Sequence, residues 1–429
     1  MGVEVIAGIN WGDEGKGRMV DYLAQDADVV VRYQGGNNAG HTVVNERGTF
    51  KLHLIPSGIF NPRAFNVLGP GMVIDLEGLD AELRDLRAKG VATEGMRLSE
   101  RATICFPFNR EEDAWEEERL ERAAGKGYGS TRRGIAPAYG DRYMKKAVQV
   151  GELLRPEWLR GRLERIVEWK NAVARGVYGR EGGVAFDDVW EWVRTYGERI
   201  RPLICDTTAL LEDAAKQGKR ILFEAQLGAL RDVYFGTYPY TSSSHVLAAF
   251  APIGGGLIGY PPERVVGVMK AFSTAVGEGP FVTEEVGTAW AEALRETAHE
   301  YGAATGRPRR IGHFDALASR FGVELQGATE LALTKLDCLT GLDPLRICTR
   351  YEYRGQPITR FPLNAVLEEC QPVYEELPGW TDDLSAARRF ADLPPNARAY
   401  VERIERLVGC RIRYISVGAE RERLIDRGA

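Results

Sequence analysis

Residues Asn10 to Arg18 read NWGDEGKGR, with Gly12, Gly15 and Gly17 set around Asp13, Glu14 and Lys16. Glycines let backbone N–H groups turn toward a phosphate, and a helix starting just after them adds a favourable dipole. Lys16 can neutralise a phosphoryl group. The usual phosphate loop is GxxxxGK followed by Ser or Thr. Here the lysine precedes the last glycine, and no hydroxyl follows it to hold Mg²⁺. Asp13 can take that place, or act as a base beside a transferring phosphate. A plain tight turn is the competing reading of so permissive a loop.

Three other stretches carry chemistry-bearing residues. YQGGNNAGHT, Tyr33 to Thr42, places His41 behind two glycines and two asparagines. Histidine is a general acid or electrostatic partner near neutral pH, although a single histidine is more often structural. GAATGRPRRIGHFD holds Thr305, Gly306, Arg307, Arg309 and Arg310. Arginines in such a loop suit carboxylates or phosphates, which they grip bidentately; a basic surface turn is the plainer alternative. TKLD, Thr334 to Asp337, sets a lysine and an aspartate together. An aspartate can accept two N–H bonds from a guanine edge, and a lysine stem can lie along a base.

The elements that must position these loops are legible as apolar runs. VEVIAGI, Val3 to Ile9, is a buried strand ended by the first glycine loop. RMVDYLAQDA is a helix and ADVVVRYQGG a second buried strand, so the first ~40 residues form one parallel crossover unit. RILFEAQLGAL, RVVGVMKAFS, ELALTKLD and CRIRYISVG are further strand-like runs, each ending in polar or glycine-rich residues. EEDAWEEERLERAA and PEWLRGRLERIVEWKNAVARG are amphipathic helices, the second with Leu159, Leu163, Ile166 and Val173 at helical spacing. Their charges read as solvated faces with i,i+4 support, such as Glu118 with Arg122. The pattern is α/β, and in such sheets ligands lie at the carboxyl ends of strands. We expect one large domain, residues 1–429, with helical and loop excursions at about 100–200.

Bulk properties narrow the class. The net charge of −5 argues against a general nucleic-acid or membrane-surface binder. The six cysteines are scattered, without zinc-finger spacing or a disulfide framework. No basic leader with an apolar core opens the chain, and no apolar run approaches the ~20 residues of a bilayer span. The expectation is a cytoplasmic enzyme.

Together the motifs WGDEGKG, VVRYQGGNNAGHT, HLIPSG, RGIAPAY, GTYPY, ATGRPRR, TKLD and ISVG resemble the adenylosuccinate synthetase family, in family order from residue 11 to about 418. The resemblance implies a large, mostly parallel sheet flanked by helices, in the P-loop-related fold of that family. It implies ligation of L-aspartate to IMP, driven by GTP with Mg²⁺ and passing through a 6-phosphoryl intermediate. By the same resemblance Asp13 is the base and His41 the acid or electrostatic partner. Lys16 with Gly12, Glu14, Gly15 and Gly17 holds GTP phosphates, and Lys335, Asp337, Ser416 and Gly418 surround guanine. Asp13 and the carbonyl of Gly40 are Mg²⁺ ligands. Asn38, Thr131, Lys145, Gln226, Ser242 and Arg309 attend IMP, and Thr305, Gly306, Arg307 and Arg309 attend L-aspartate. A homodimer is implied, with Lys145 reaching the partner's nucleotide site.

The chain departs from the family pattern at several points. FEAQLG, Phe223 to Gly228, stands where the family has FEGAQG. Without a gap, the family glutamine falls on Leu227 and Gln226 is one place early, which on a strand turns the side chain to the other face. Either the register shifts locally or the glutamine's role is lost. Ser242 replaces a phosphate-binding threonine, Lys145 replaces a partner-chain arginine and so lacks its bidentate fork, and Ala275 replaces an arginine. The family's GRG becomes Arg132-Arg133-Gly134. These changes lie on the acceptor side. They leave open a specialised synthetase aminating another purine nucleotide, such as dGMP, and beyond that a non-catalytic GTP-binding protein.

Overall fold

The structure is a computed structural model that describes residues 2–301, 306 and 308–428. Ten strands form the central sheet. From one edge they run Leu424–Asp426, Ile412–Ser416, Glu330–Thr334, Arg264–Lys270, Gly2–Gly8, Arg220–Gly228, Val29–Arg32, Phe65–Leu68, Met96–Ser99 and Ile204–Cys205. All neighbours are parallel except the last two strands of the chain, which pair antiparallel. The expected large, mostly parallel α/β sheet is therefore present.

Burial on both faces explains why the strands read as unbroken apolar runs. On one face Ile6, Val30, Leu222, Val266 and Val268 pack against Met19 and Val20 of the helix Lys16–Leu23. On the other, Val5, Val31 and Phe223 pack with Leu211 and Ala248. Parallel strands bring their carboxyl ends to one edge, so the loops after Gly8, Arg32, Gly228, Lys270, Thr334 and Ser416 gather there.

One irregularity sits on this edge. Against the first strand, Ile6 pairs with Glu224 but Gly8 pairs with Gly228, so four steps of one strand span two of the other. Leu227 lies in this bulge with φ 63°, the left-handed region.

The helical excursion comprises Pro107–Ala124, Ile135–Tyr143, Pro156–Tyr178 and Phe186–Ile200. The two amphipathic helices expected from sequence are the first and third of these. The expected Glu118–Arg122 pair is not made. Arg122 donates to the backbone carbonyl of Glu118, and the Glu118 carboxylate takes Arg180 from the neighbouring helix end, a partner that a local i,i+4 rule does not see.

Lys170 ties the excursion together from inside. Its ammonium, 3% exposed, meets Glu112 at 2.6 Å and Asp141 at 2.7 Å, linking three helices. Lys170→Met leaves two buried carboxylates without their counter-charge. It is expected to lower the unfolding free energy by about 3–5 kcal/mol in a urea titration; a loss under about 1 kcal/mol would refute the buried-ion-pair account.

Candidate active site

A cavity of about 710 Å³ opens at the carboxyl edge of the sheet. Its wall draws on the loops that follow five of the motif-bearing segments, with Asp13 to Arg18, Asn38 to Thr42, Gly306 with Arg309, Thr334 with Lys335 and Asp337, and Ser416 with Gly418.

The first loop is braced from within. The Glu14 carboxylate accepts the Gly12 N–H at 2.8 Å and the Asn10 N–H at 3.1 Å, and takes the Lys16 ammonium at 2.6 Å. Glu14, expected among the GTP contacts, thus directs its carboxylate into the loop. Thr334 Oγ1 donates to the Glu14 carbonyl at 2.6 Å and pins the loop to the TKLD motif. Gly12, Asp13 and Gly15 have φ of 106°, 58° and 95°. That left-handed path is why glycines recur here and why a short polar residue stands between them.

Gly17 needs to be glycine for a different reason. A Cβ there would lie 2.9 Å from the His41 Cβ and 3.3 Å from Ser57 Oγ. Gly17→Ala is expected to displace His41 and cut turnover about tenfold or more, at a stability cost of about 1–3 kcal/mol. Unchanged steady-state kinetics would show that the contact is not tight.

His41 begins the hairpin strand His41–Asn45. Its Nδ1 pairs with Glu224 Oε1, and the same carboxylate accepts Ser57 N–H at 2.7 Å and Ser57 Oγ–H at 2.8 Å. Burial opposes the charge of Glu224, but His41, Arg32 and Ser57 outweigh it and lower its pKa below the usual carboxylate value. An ionised Glu224 makes His41 Nδ1 the donor, which leaves Nε2 for a substrate. Burial lowers the pKa of His41, with Arg32 and Lys16 adding and Glu224 opposing, so the ring is neutral at pH 7 in the free protein.

Asp13 faces Arg309 across the cavity, with Nε to Oδ2 at 2.9 Å. The contact is an ion pair off the line of a hydrogen bond, and Arg309 Nε has no hydrogen-bond partner among the described residues. Arg309 is further held by Glu300 at 2.6 Å. At the far end, Lys335 and Asp337 line the wall with Ser416 and Gly418.

The bulge in Arg220–Gly228 sets the direction of the glutamine. Gln226 is buried on the cavity wall, where its Oε1 accepts from Arg32 at 2.5 Å and from Gly36 N–H at 3.2 Å, and its Nε2 donates to Asn38 Oδ1 at 2.5 Å. The strand register is irregular at this point, and both Gln226 and Leu227 reach the cavity wall.

Asn38, Gly40 and Gly306 also line the cavity. Thr131 and Ser242, expected beside the acceptor nucleotide, do not, and neither does Lys145, expected at the partner's site rather than its own. Thr131 and Lys145 are exposed on the helical excursion. Ser242 is half-buried and joins the wall only through a relay, Ser242–Ser244 at 2.9 Å, Ser244–Gln34 at 3.0 Å and Gln34 to the Gln226 carbonyl at 2.7 Å. Ala275 is buried in a two-stranded pairing opposite Arg310. Thr305 and Arg307 lie outside the described residues.

Sequence reasoning missed Glu224, Glu300 and Arg18. Glu224 stands inside the quoted FEAQLG run, but a lone acid in an apolar strand is a visible signal only if a buried partner is sought for it. Arg18 lines the far end, where it donates to Ser416 Oγ and to the carbonyls of Glu420 at 2.6 Å and Arg423 at 2.9 Å.

A family model described as adenylosuccinate synthetase matches residues 5–425. Adenylosuccinate synthetase 2 of Pseudoalteromonas translucida is 50% identical over 426 residues, covering 99% of each chain. A fully ligated adenylosuccinate synthetase from Plasmodium falciparum superposes with a TM-score of 0.93 at 31% identity, covering 100% of both chains. A cyanophage S-2L succinoaminodeoxyadenylate synthetase, solved with dGMP and dATP, shares the fold at 20% identity and a TM-score of 0.62, covering 100% of this chain and 96% of that one.

Proposed function

This chain belongs to the adenylosuccinate synthetase family, and from that premise we propose how its cavity carries out the family's reaction. The enzyme ligates L-aspartate to IMP at the expense of GTP, forming adenylosuccinate, GDP and phosphate in purine nucleotide synthesis. The observation that carries the assignment of roles is convergence: Asp13, Lys16, His41 and Arg309 border one cavity whose far end holds Lys335 and Asp337.

Asp13 removes the N1 proton of the hypoxanthine, and the 6-oxygen gains the electron density to attack the γ-phosphate of GTP. A carbonyl oxygen is a poor leaving group, and phosphorylation makes it a good one. The amine of L-aspartate then displaces phosphate at C6. Lys16 and the loop amides face the charge on the transferring group. His41 works through its pair with Glu224. Polyphosphate entering beside it adds negative charge, which raises its pKa from the lowered value of the free protein. Its Nε2 then carries a proton toward the 6-oxygen while Glu224 balances the imidazolium. Arg309, held between Asp13 and Glu300, takes a carboxylate of L-aspartate through its guanidinium.

Mg²⁺ fits the donors present. It prefers hard oxygens and binds through one or two carboxylates plus substrate phosphates rather than a closed protein cage. Asp13 and the Gly40 carbonyl offer such oxygens, and no cluster of three or more His, Cys, Asp or Glu that could hold a metal occurs among the described residues. Bound there, the ion would neutralise charge on the β- and γ-phosphate oxygens.

The reading extends to assembly and setting. A homodimer with Lys145 reaching the partner's site draws support from the exposed Tyr143 and Met144 beside it, 74% and 52% accessible. One domain with excursions is supported by a single sheet that draws strands from both ends of the chain. A cytoplasmic setting is supported by the six free cysteines. No helix among the described residues is long and apolar enough to cross a membrane.

The test is phosphate release by the purified protein with Mg²⁺ and L-aspartate, comparing IMP with dGMP and GTP with ATP. Release with IMP and GTP, and a product with adenylosuccinate absorbance, is the expected result. Release only with another nucleotide pair would overturn it.

A further inference from the structure

Glu300 is fully buried, and its backbone stands at the foot of the segment that carries Arg309. Its N–H donates to the Arg295 carbonyl at 2.9 Å, and its carbonyl accepts the Arg309 N–H at 2.9 Å. Its carboxylate touches both ends of the cavity. Oε1 takes Lys335 at 2.6 Å from the guanine side and Lys270 at 2.7 Å from between, while Oε2 takes Arg309 at 2.6 Å. Lys270, itself buried, is steadied by Thr274 Oγ1 at 2.8 Å. Arg309 continues the chain to Asp13.

One buried anion thus serves three cations. Burial works against its charge, but Lys270, Lys335 and Arg309 outweigh it and hold the carboxyl well below the usual range. Burial in turn pushes the Lys270 ammonium down to about 8, with Glu300 opposing. Around so buried a carboxylate the interactions are strong and the partners cannot be rearranged independently.

We propose that Glu300 is a positioning residue that couples the donor and acceptor ends of the cavity, by holding Lys335 and Arg309 on one carboxylate so that occupancy of either end orders the other. The proposal rests on the reading that Lys335 attends guanine and Arg309 attends L-aspartate. A buried brace would protect the fold alone, whereas a coupling residue links two Michaelis constants.

The test uses the full-length enzyme with Glu300→Gln and Glu300→Asp, and with Arg309→Lys and Lys335→Met as references. Glu300→Asp keeps the charge and shortens the reach. It is expected to melt near the parent temperature and to raise KM for both GTP and L-aspartate about tenfold, with KM for IMP moved less than about threefold. Glu300→Gln gives a larger loss, and if it does not fold, Glu300→Asp decides. In the Glu300→Asp background, Arg309→Lys and Lys335→Met are each expected to cost less than in the parent, the non-additivity of groups that act as a unit. If both KM values stay within about twofold, or only one rises, the coupling is overturned. If neither Glu300 variant folds, Lys335→Met decides: an unchanged KM for L-aspartate at saturating GTP overturns the coupling and an about tenfold rise supports it. A different failure marks the underlying assignment: Arg309→Lys leaving KM for L-aspartate unchanged, or Lys335→Met leaving KM for GTP unchanged, in the parent enzyme.

Discussion

Asp13→Asn is expected to lower kcat for the IMP, L-aspartate and GTP reaction by about 10³-fold or more, while GTP still binds. The substitution is chosen for the backbone. Asp13 has φ 58°, a conformation that asparagine adopts more readily than most residues, so the loop keeps its path and the loss is chemical. Asparagine cannot take the N1 proton, and it offers Mg²⁺ a neutral oxygen in place of a charged one. It also frees Arg309 from its ion pair. KM for L-aspartate should therefore hold or fall even as turnover collapses. The measurement is phosphate release in parallel with equilibrium binding of a non-hydrolysable GTP analogue. A variant that retains more than about a tenth of parental kcat would remove Asp13 from the role of base.

Glu224→Gln is the second large effect. The variant keeps the shape of a side chain that is fully buried and still accepts from Ser57, but it removes the negative charge facing His41. Turnover is expected to fall about 10²- to 10³-fold. The pH profile carries the sharper signature. On the proposed mechanism His41 acts protonated in the substrate complex, so activity is expected to fall as pH rises through its pKa. Glu224 is the group that raises that pKa against burial, Arg32 and Lys16. Its neutralisation moves the alkaline limb of kcat to lower pH, by about one unit or more. A limb that stays in place, or moves to higher pH, would mean that His41 does not act as a cation.

Both variants bear on residues with different visibility in the sequence. The glycine loop around Asp13 announces itself, because a left-handed backbone path selects glycine and small polar residues in a short contiguous window. His41 was legible for the same reason, standing at the end of a glycine-rich turn. The carboxyl-edge position of both loops followed from the apolar runs before them, since parallel strands bring those ends together.

The pairings across the cavity were not legible. Glu224 lies 183 residues from His41, and a single acid inside an apolar strand carries no local mark of its partner. Glu300 meets cations from three separate stretches of chain, and only the strand order brings those ends within 3 Å of one carboxylate. Gln226 read as misplaced by one residue because strand periodicity was assumed to run unbroken, and the bulge against the first strand restores its aim. Thr131 and Ser242 are assigned to the acceptor by resemblance alone, and the described chain leaves them off the cavity wall. The sequence by itself determined the α/β class, the left-handed path of the glycine loop and the sheet edge where the cavity opens, because these depend on backbone preferences and apolar patterning within a few residues. Only the tertiary structure decided which buried charges meet, because that depends on strand order and register between segments well separated along the chain, by 183 residues for His41 and Glu224.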